Sequence, residues 1–231
     1  MIELKNISKS YDNNVHAVEN LDLKIDQGEF VYLVGPSGAG KSTLIKLLYR
    51  QIKPDQGEIS VNEYNLGKIR KRDIPKLRRT LGVVFQDFKL LPRLTVFENV
   101  AYALRVTQIP NKEIAGRVNE VLDLVGLKDR ADVFPNQISG GEQQRIAIAR
   151  AIVNKPKVLI ADEPTGNLDP KTTKDIMEII EKINASGTTI LMATHNNDIV
   201  NNYVHRVVEL KSGKKVRDEE KGNYLNEDLD V

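Results

Sequence analysis

The opening third of the chain has the apolar spacing of β-strands. Ile2, Leu4 and Ile7 fall near a two-residue repeat, Val15–Ile25 offers a second β-type stretch, and Phe30–Val34 (FVYLV) a third. FVYLV is apolar at every position, as expected of a strand buried on both faces. The period then changes. After the Gly40–Lys41 turn, Leu44, Ile45, Leu47 and Leu48 line one side of a helix. That helix must stop before Pro54, where PDQG turns the chain into a strand at Glu58–Val61.

Leu81–Phe85 (LGVVF) predicts another strand, and helical periods follow at Thr95–Arg105 and Lys112–Val125. In the second helix Ile114, Val118, Val121, Leu122 and Val125 form one stripe. The block from Asp87 to Asn136 therefore reads as a helical insertion in an α/β core. Strand and helix then alternate: Val158–Ala161, a helix over Pro170–Ala185, Thr188–Thr194, and Tyr203–Leu210. Such alternation predicts a largely parallel sheet covered by helices. The polar, acidic stretch after Arg217 predicts a short helix outside the core.

Composition narrows the function. A chain of 231 residues can form one large domain, or a core with a subdomain. Its 34 basic and 32 acidic side chains leave a net charge of +2, so no nucleic-acid partner is expected. The absence of cysteine excludes disulfides and thiolate metal sites, and suits a reducing compartment. The start, MIELKNISKS, lacks the apolar region of a signal peptide, and no apolar run approaches the roughly 18 residues of a membrane span. A soluble, cytoplasmic chain is expected, with any membrane role supplied through a partner.

Three motifs carry chemistry. Gly35–Thr43 (GPSGAGKST) matches the phosphate-loop pattern in full and stands between an apolar strand and a helix. Gly35, Pro36, Ser37, Gly38, Ala39 and Gly40 would turn backbone N–H groups onto phosphate oxygens, ahead of a positive helix end. Lys41 would reach the β- and γ-phosphates, and Ser42, followed by Thr43, would ligate Mg2+. Lys157–Pro164 (KVLIADEP) is an apolar strand ending in two acids: Asp162 for the Mg2+ shell, Glu163 as general base toward water. In Ile138–Ile152, Ser139 predicts a helix N-cap with Glu142 three residues on, a capping box. Ser139, Gly140 and Gly141 also offer a hydroxyl and N–H groups to an anion. A cap alone does not require the paired glycines.

With these motifs in order, nearly the whole chain resembles the nucleotide-binding subunits of ABC (ATP-binding cassette) ATPases. The order is Tyr11 at the adenine-stacking position, the phosphate loop, Gln86 after a strand, the SGG signature, Asp162–Glu163, Asn167-Leu168-Asp169, and His195 after a strand. The resemblance implies an α/β P-loop NTPase core with an N-terminal antiparallel β-subdomain, over 1–86 and 137–231. It implies an inserted α-helical subdomain over 87–136. It also implies a homodimer formed on ATP binding, in which the signature of one copy closes over the ATP of the other. Gln86 then senses the γ-phosphate and contributes to the Mg2+ site, Asp169 links the two sites, and His195 contacts the γ-phosphate and orients the water. Ile138 and Glu142 stand where the family signature commonly has Leu and Gln. The first is a packing change, and the second puts an anion in place of a neutral amide.

SGGEQQR followed by PTGNLD marks a subgroup that includes lipoprotein-release, macrolide-export and cell-division ATPases. Val84–Leu104 most resembles the cell-division members. That implies an FtsX-like integral membrane partner, an indirect link to the division machinery and its peptidoglycan hydrolases, and a place on the cytoplasmic face of the membrane at the division site. Phe88, Leu90 and Leu91 are then candidates to dock the partner, or to pack into the helical insertion. The basic run Lys68–Arg79 reads as a solvated face or as a contact for anionic lipid. An exporter ATPase with the same chemistry remains an alternative. A cassette acting on DNA or ribosomes usually needs tandem cassettes or long coiled coils. A P-loop kinase or GTPase has no use for the signature.

Overall fold

The computed structural model describes residues 1–11, 15–166 and 168–224. In chain order the elements are β1 (Ile2–Tyr11), β2 (Val15–Ile25), β3 (Phe30–Val34), α1 (Lys41–Leu48), β4 (Gln56–Val61), β5 (Tyr64–Asn65), α2 (Ile74–Arg79) and β6 (Leu81–Val84). They continue with α3 (Val96–Val106), α4 (Asn111–Leu124), α5 (Gly140–Ile152), β7 (Val158–Asp162), α6 (Pro170–Ala185), β8 (Thr189–Ala193), α7 (Asn197–Asn202), β9 (Arg206–Lys211) and β10 (Lys214–Glu219). The fold is α/β, and it falls into two compact units, 1–77 with 189–231 and 78–188.

In the first unit β2, β1, β4 and β5 form an antiparallel sheet in that order. Its inner face is built by Ile2, Leu4, Ile7, Leu21, Leu23, Ile25, Ile59 and Val61, all nearly sealed from solvent. The same unit holds β3 between two parallel partners, with Leu33 opposite Ala193 of β8 and Val208 of β9. Every residue of β3 is buried, which matches its unbroken apolar run. Each such side chain contributes about 1.5–3 kcal/mol on leaving water.

The helix expected after Arg217 does not form over residues 218–224. Residues 214–219 form β10, antiparallel to β9, and 220–224 form no helix. Residues 225–231 lie outside the described part. Ser212 (φ 48°) and Gly213 (φ 79°) make a two-residue turn with both angles positive, the hairpin geometry that fits strand twist. Ion pairs Arg217–Glu209 (2.9 Å) and Arg206–Asp218 (2.8 Å) then tie the two strands face by face. Polarity here marks an edge strand with one solvated side. Strand β9 also begins later than its apolar run suggests, at Arg206, with Val204 half exposed.

In the second unit β6 and β7 pair in parallel, Val84 opposite Ala161. Gly82 is dictated by packing, because a Cβ there would lie 2.7 Å from the Ala151 carbonyl oxygen. Helices α3, α4, α5 and α6 bury Val96, Val100 and Leu104, then Ile114, Val118 and Leu122, then Ile146 and Ile148, then Ile176 and Ile180. Their starts are chemically marked. Thr95 forms a capping box with Glu98, Ser139 with Glu142, and Asp169 caps α6 just before Pro170.

Candidate functional site

In the first unit the phosphate loop joins β3 to α1, and its glycines have separate reasons. Gly35 (φ 135°) and Gly40 (φ 108°) adopt backbone angles that side chains disfavour. A Cβ would come within 2.1 Å of the Leu210 carbonyl oxygen at the first and 2.2 Å of the Ala17 carbonyl oxygen at the second. Between them Pro36, Ser37 and Gly38 are exposed while Ala39 is buried. The hairpin turn holds the loop from below, since Gly213 N–H donates to the Ala39 carbonyl at 3.1 Å. Gly40 caps α1 with no side-chain hydrogen bond, at the positive end of the helix. The Lys41 Nζ donates to the Gly35 carbonyl at 2.5 Å and the Pro36 carbonyl at 3.1 Å, so the ammonium lies on the loop. Exposed Ser42 follows it. This cradle, with a cation at a helix N-terminus, fits a triphosphate, and Ser42 fits Mg2+.

Tyr11 and His195 belong to the same unit. The Tyr11 hydroxyl lies 3.3 Å from Thr43 Oγ1, and the residue is 41 % exposed beside the loop. His195 is exposed and lies two residues beyond the end of β8. Thr194 N–H donates to the Leu33 carbonyl at 3.2 Å, so the carboxyl ends of β3 and β8 stand side by side. The phosphate loop leaves one of these ends and His195 the other, the edge at which parallel sheets place their ligands.

The second unit repeats that arrangement with β6 and β7. Gln86 is exposed just beyond β6, and Asp162 ends β7. Glu163 has φ 49°, a left-handed backbone that a non-glycine residue adopts only under constraint. Part of that constraint is a turn closed by Gly166 N–H to the Glu163 carbonyl at 3.1 Å. Gln86 packs on this turn, for a Cβ on Gly166 would lie 3.2 Å from Gln86 Nε2. Gln86, Asp162 and Glu163 thus share one edge. Asn167 lies outside the described residues.

The signature opens α5. Ser139 Oγ accepts from Glu142 N–H at 3.3 Å, while the Glu142 carboxylate accepts from Ser139 N–H at 2.9 Å and from its hydroxyl at 2.8 Å. Those two donors, with Arg130 at 3.9 Å, keep the Glu142 carboxyl below the usual range. The two glycines differ. A Cβ on Gly141 would meet Thr172 Cγ2 at 2.3 Å, whereas one on Gly140 would find its neighbours at ordinary contact, 3.8 Å or more. Packing onto α6 therefore explains Gly141, and only Gly140 has no requirement inside this unit. Asp169 is exposed and accepts from Thr172 N–H at 3.0 Å and Thr172 Oγ1 at 2.5 Å. These bonds hold its carboxyl below the usual value. Thr172 thus joins the signature to Asp169.

Two residues that build this region carried no motif. The loop after Gln86 contains consecutive left-handed residues, Phe88 (φ 57°) and Lys89 (φ 50°). Arg150 of α5 donates to both of their carbonyls, at 2.8 Å and 2.6 Å. Burial lowers the guanidinium pKa from its ordinary value, and the two carbonyls compensate for lost water. Fully buried Asn99 of α3 accepts from Leu91 N–H at 2.8 Å and donates to the carbonyls of Leu91, Leu94 and Thr95. The signal in the sequence was slight: a lone cation within IAIARAI and a lone amide within VFENVAYAL. Phe88, Leu90 and Leu91 are half-buried on this braced loop.

Comparison with known proteins agrees with this geometry. The family described as ABC transporter matches residues 18–166. The chain is 59 % identical over 228 residues to the cell division ATP-binding protein FtsE of Streptococcus pneumoniae serotype 2 (strain D39 / NCTC 7466), covering 99 % of each. It is 57 % identical over 224 residues to the protein of the same name from Bacillus subtilis (strain 168), covering 97 % of this chain and 98 % of that one. The dimeric post-hydrolysis structure of the ATP-binding cassette MJ0796 bound to ADP and Pi superposes with a TM-score of 0.86 at 36 % identity, over 97 % of this chain and 100 % of that one. With a phosphate loop, a paired-acid strand end and a signature helix in place, the chain belongs to the ABC transporter family as one of its ATP-binding cassettes.

Proposed function

We propose that this cassette hydrolyses ATP between two copies of itself and passes the resulting motion to an FtsX-like integral membrane partner in bacterial cell division. The observation that carries the division reading is the 59 % identity, across 99 % of both chains, to a relative named for that process. In this reading the loop N–H groups and Lys41 hold the triphosphate, and Tyr11 stacks on the base. Ser42, Gln86 and Asp162 would hold Mg2+, which would supply charge neutralisation for the triphosphate. Glu163 accepts the proton of the attacking water, and His195 orients that water. Ser139 and Gly140 of the opposite copy complete the pocket, with Asp169 beside them. The exposure of Ser139 and Gly140, and the space at Gly140, support that closure.

The partner docks on the loop around Phe88, Leu90 and Leu91, at the start of the helical insertion 87–136. Among the described residues no helix is long and apolar enough to cross a membrane. The proposed site of action, at the membrane where division occurs, is reached through the partner. Depletion in the native organism tests the reading. Failed septation with intact export is expected, while intact septation with lost export or lipoprotein release would replace the division role by an exporter's.

A further inference from the structure

The signature of this chain sets two anions in competition for one proton. A serine hydroxyl has a single hydrogen to donate. Here Ser139 spends it on Glu142, at 2.8 Å, and the Ser139 N–H goes to the same carboxylate oxygen at 2.9 Å. Both are charge-assisted bonds, stronger than those a neutral acceptor would form. Glu142 is ionised at neutral pH, since its carboxyl lies below the ordinary value. The nearest cation, Arg130 at 3.9 Å, is mostly exposed and screens that charge only in part.

An incoming phosphate oxygen at the start of α5 needs the same hydroxyl proton. It also meets a fixed negative charge within the first helical turn, the place where the helix otherwise favours anions. We propose that Glu142 sets the ATP requirement of dimer closure: its carboxylate occupies the Ser139 donors and repels the phosphate, so that two copies close only at higher ATP. This rests on the proposed closure of the signature over the nucleotide of a second copy. The capping box survives loss of the charge, because glutamine can also serve as its third residue, with weaker bonds. Glutamine would keep the box while giving up the charge, which makes Glu142→Gln a clean probe.

The test uses the full chain carrying Glu163→Gln, with and without Glu142→Gln, in sedimentation velocity over a series of ATP concentrations. The double variant is expected to reach half-association at about three- to tenfold less ATP. That advantage should shrink as salt is raised, and it should appear although the nucleotide-free melting temperature falls slightly with loss of the charge-assisted bonds. An ATP dependence that is unchanged, or shifted to higher ATP, overturns the role of Glu142 and leaves the closure standing. Absence of any ATP-dependent dimer in both variants overturns the closure itself, and the role of Glu142 with it.

Discussion

The two units hold their functional residues by different means. In the first, backbone geometry shapes the phosphate loop. Gly35 and Gly40 lie where a Cβ would strike main-chain carbonyls, and Gly213 supports Ala39 through a backbone bond. In the second, side chains reach to distant main chain. Arg150 grips Phe88 and Lys89 across 62 and 61 positions of sequence, and Asn99 closes the loop at Leu91 and Leu94. A site shaped by main-chain contacts tolerates few residues at its own positions. One shaped by distant side chains is set by positions far from it.

The sharpest division between the units is expected at Lys41 and Glu163. Lys41→Ala should abolish ATP binding, whereas Glu163→Gln should retain binding and lose about 10²–10⁴-fold in hydrolysis. Fluorescent-nucleotide titration and phosphate release separate the two, and equal loss of binding in both variants would break the comparison. A smaller effect is expected at the brace. Arg150→Met removes two charge-assisted bonds and should cost about 2–3 kcal/mol in denaturant unfolding. Adding Lys89→Gly should return part of that, because glycine adopts φ 50° freely. No recovery would mean that Arg150 acts elsewhere than on the strained loop.

The smallest effect concerns acid. The Asp169 carboxyl is lowered first by the Thr172 hydroxyl and then by the Thr172 N–H. A folded value below the unfolded one adds stability that is present above about pH 4 and lost as pH falls through the lowered value. Asp169→Ala should therefore melt below the parent chain at pH 7, by a gap that narrows as pH falls through the lowered value. A constant gap across that range would remove the charge from the explanation.

Much of the first unit was legible because its constraints are local. FVYLV followed by GPSGAGKST encodes strand, turn and helix in consecutive positions, and Gly35, Gly38 and Gly40 all take positive φ there. Ser139 and Glu142 were legible for the same reason, since a capping box spans one turn. What escaped was either non-local or polar. Nothing near Arg150 announces that its partners are the carbonyls of Phe88 and Lys89. A polar, acidic stretch after Arg217 carries no apolar period to mark a strand, although Ser212-Gly213 is a two-residue hairpin turn that leads into β10. The paired glycines show a third limit. They look equivalent as letters, yet one answers to Thr172 and the other to nothing within its unit.

Thr172 sets an unusual bound on how this protein can vary. Its methyl group lies against Gly141 and its hydroxyl bonds Asp169. Serine would keep the second contact and lose the first, and valine would do the reverse. No other standard side chain combines a hydroxyl and a methyl on the same carbon. A lineage that changed Gly141 or Asp169 would have to renegotiate this one position as well, so three residues that read as separate motifs are inherited as one.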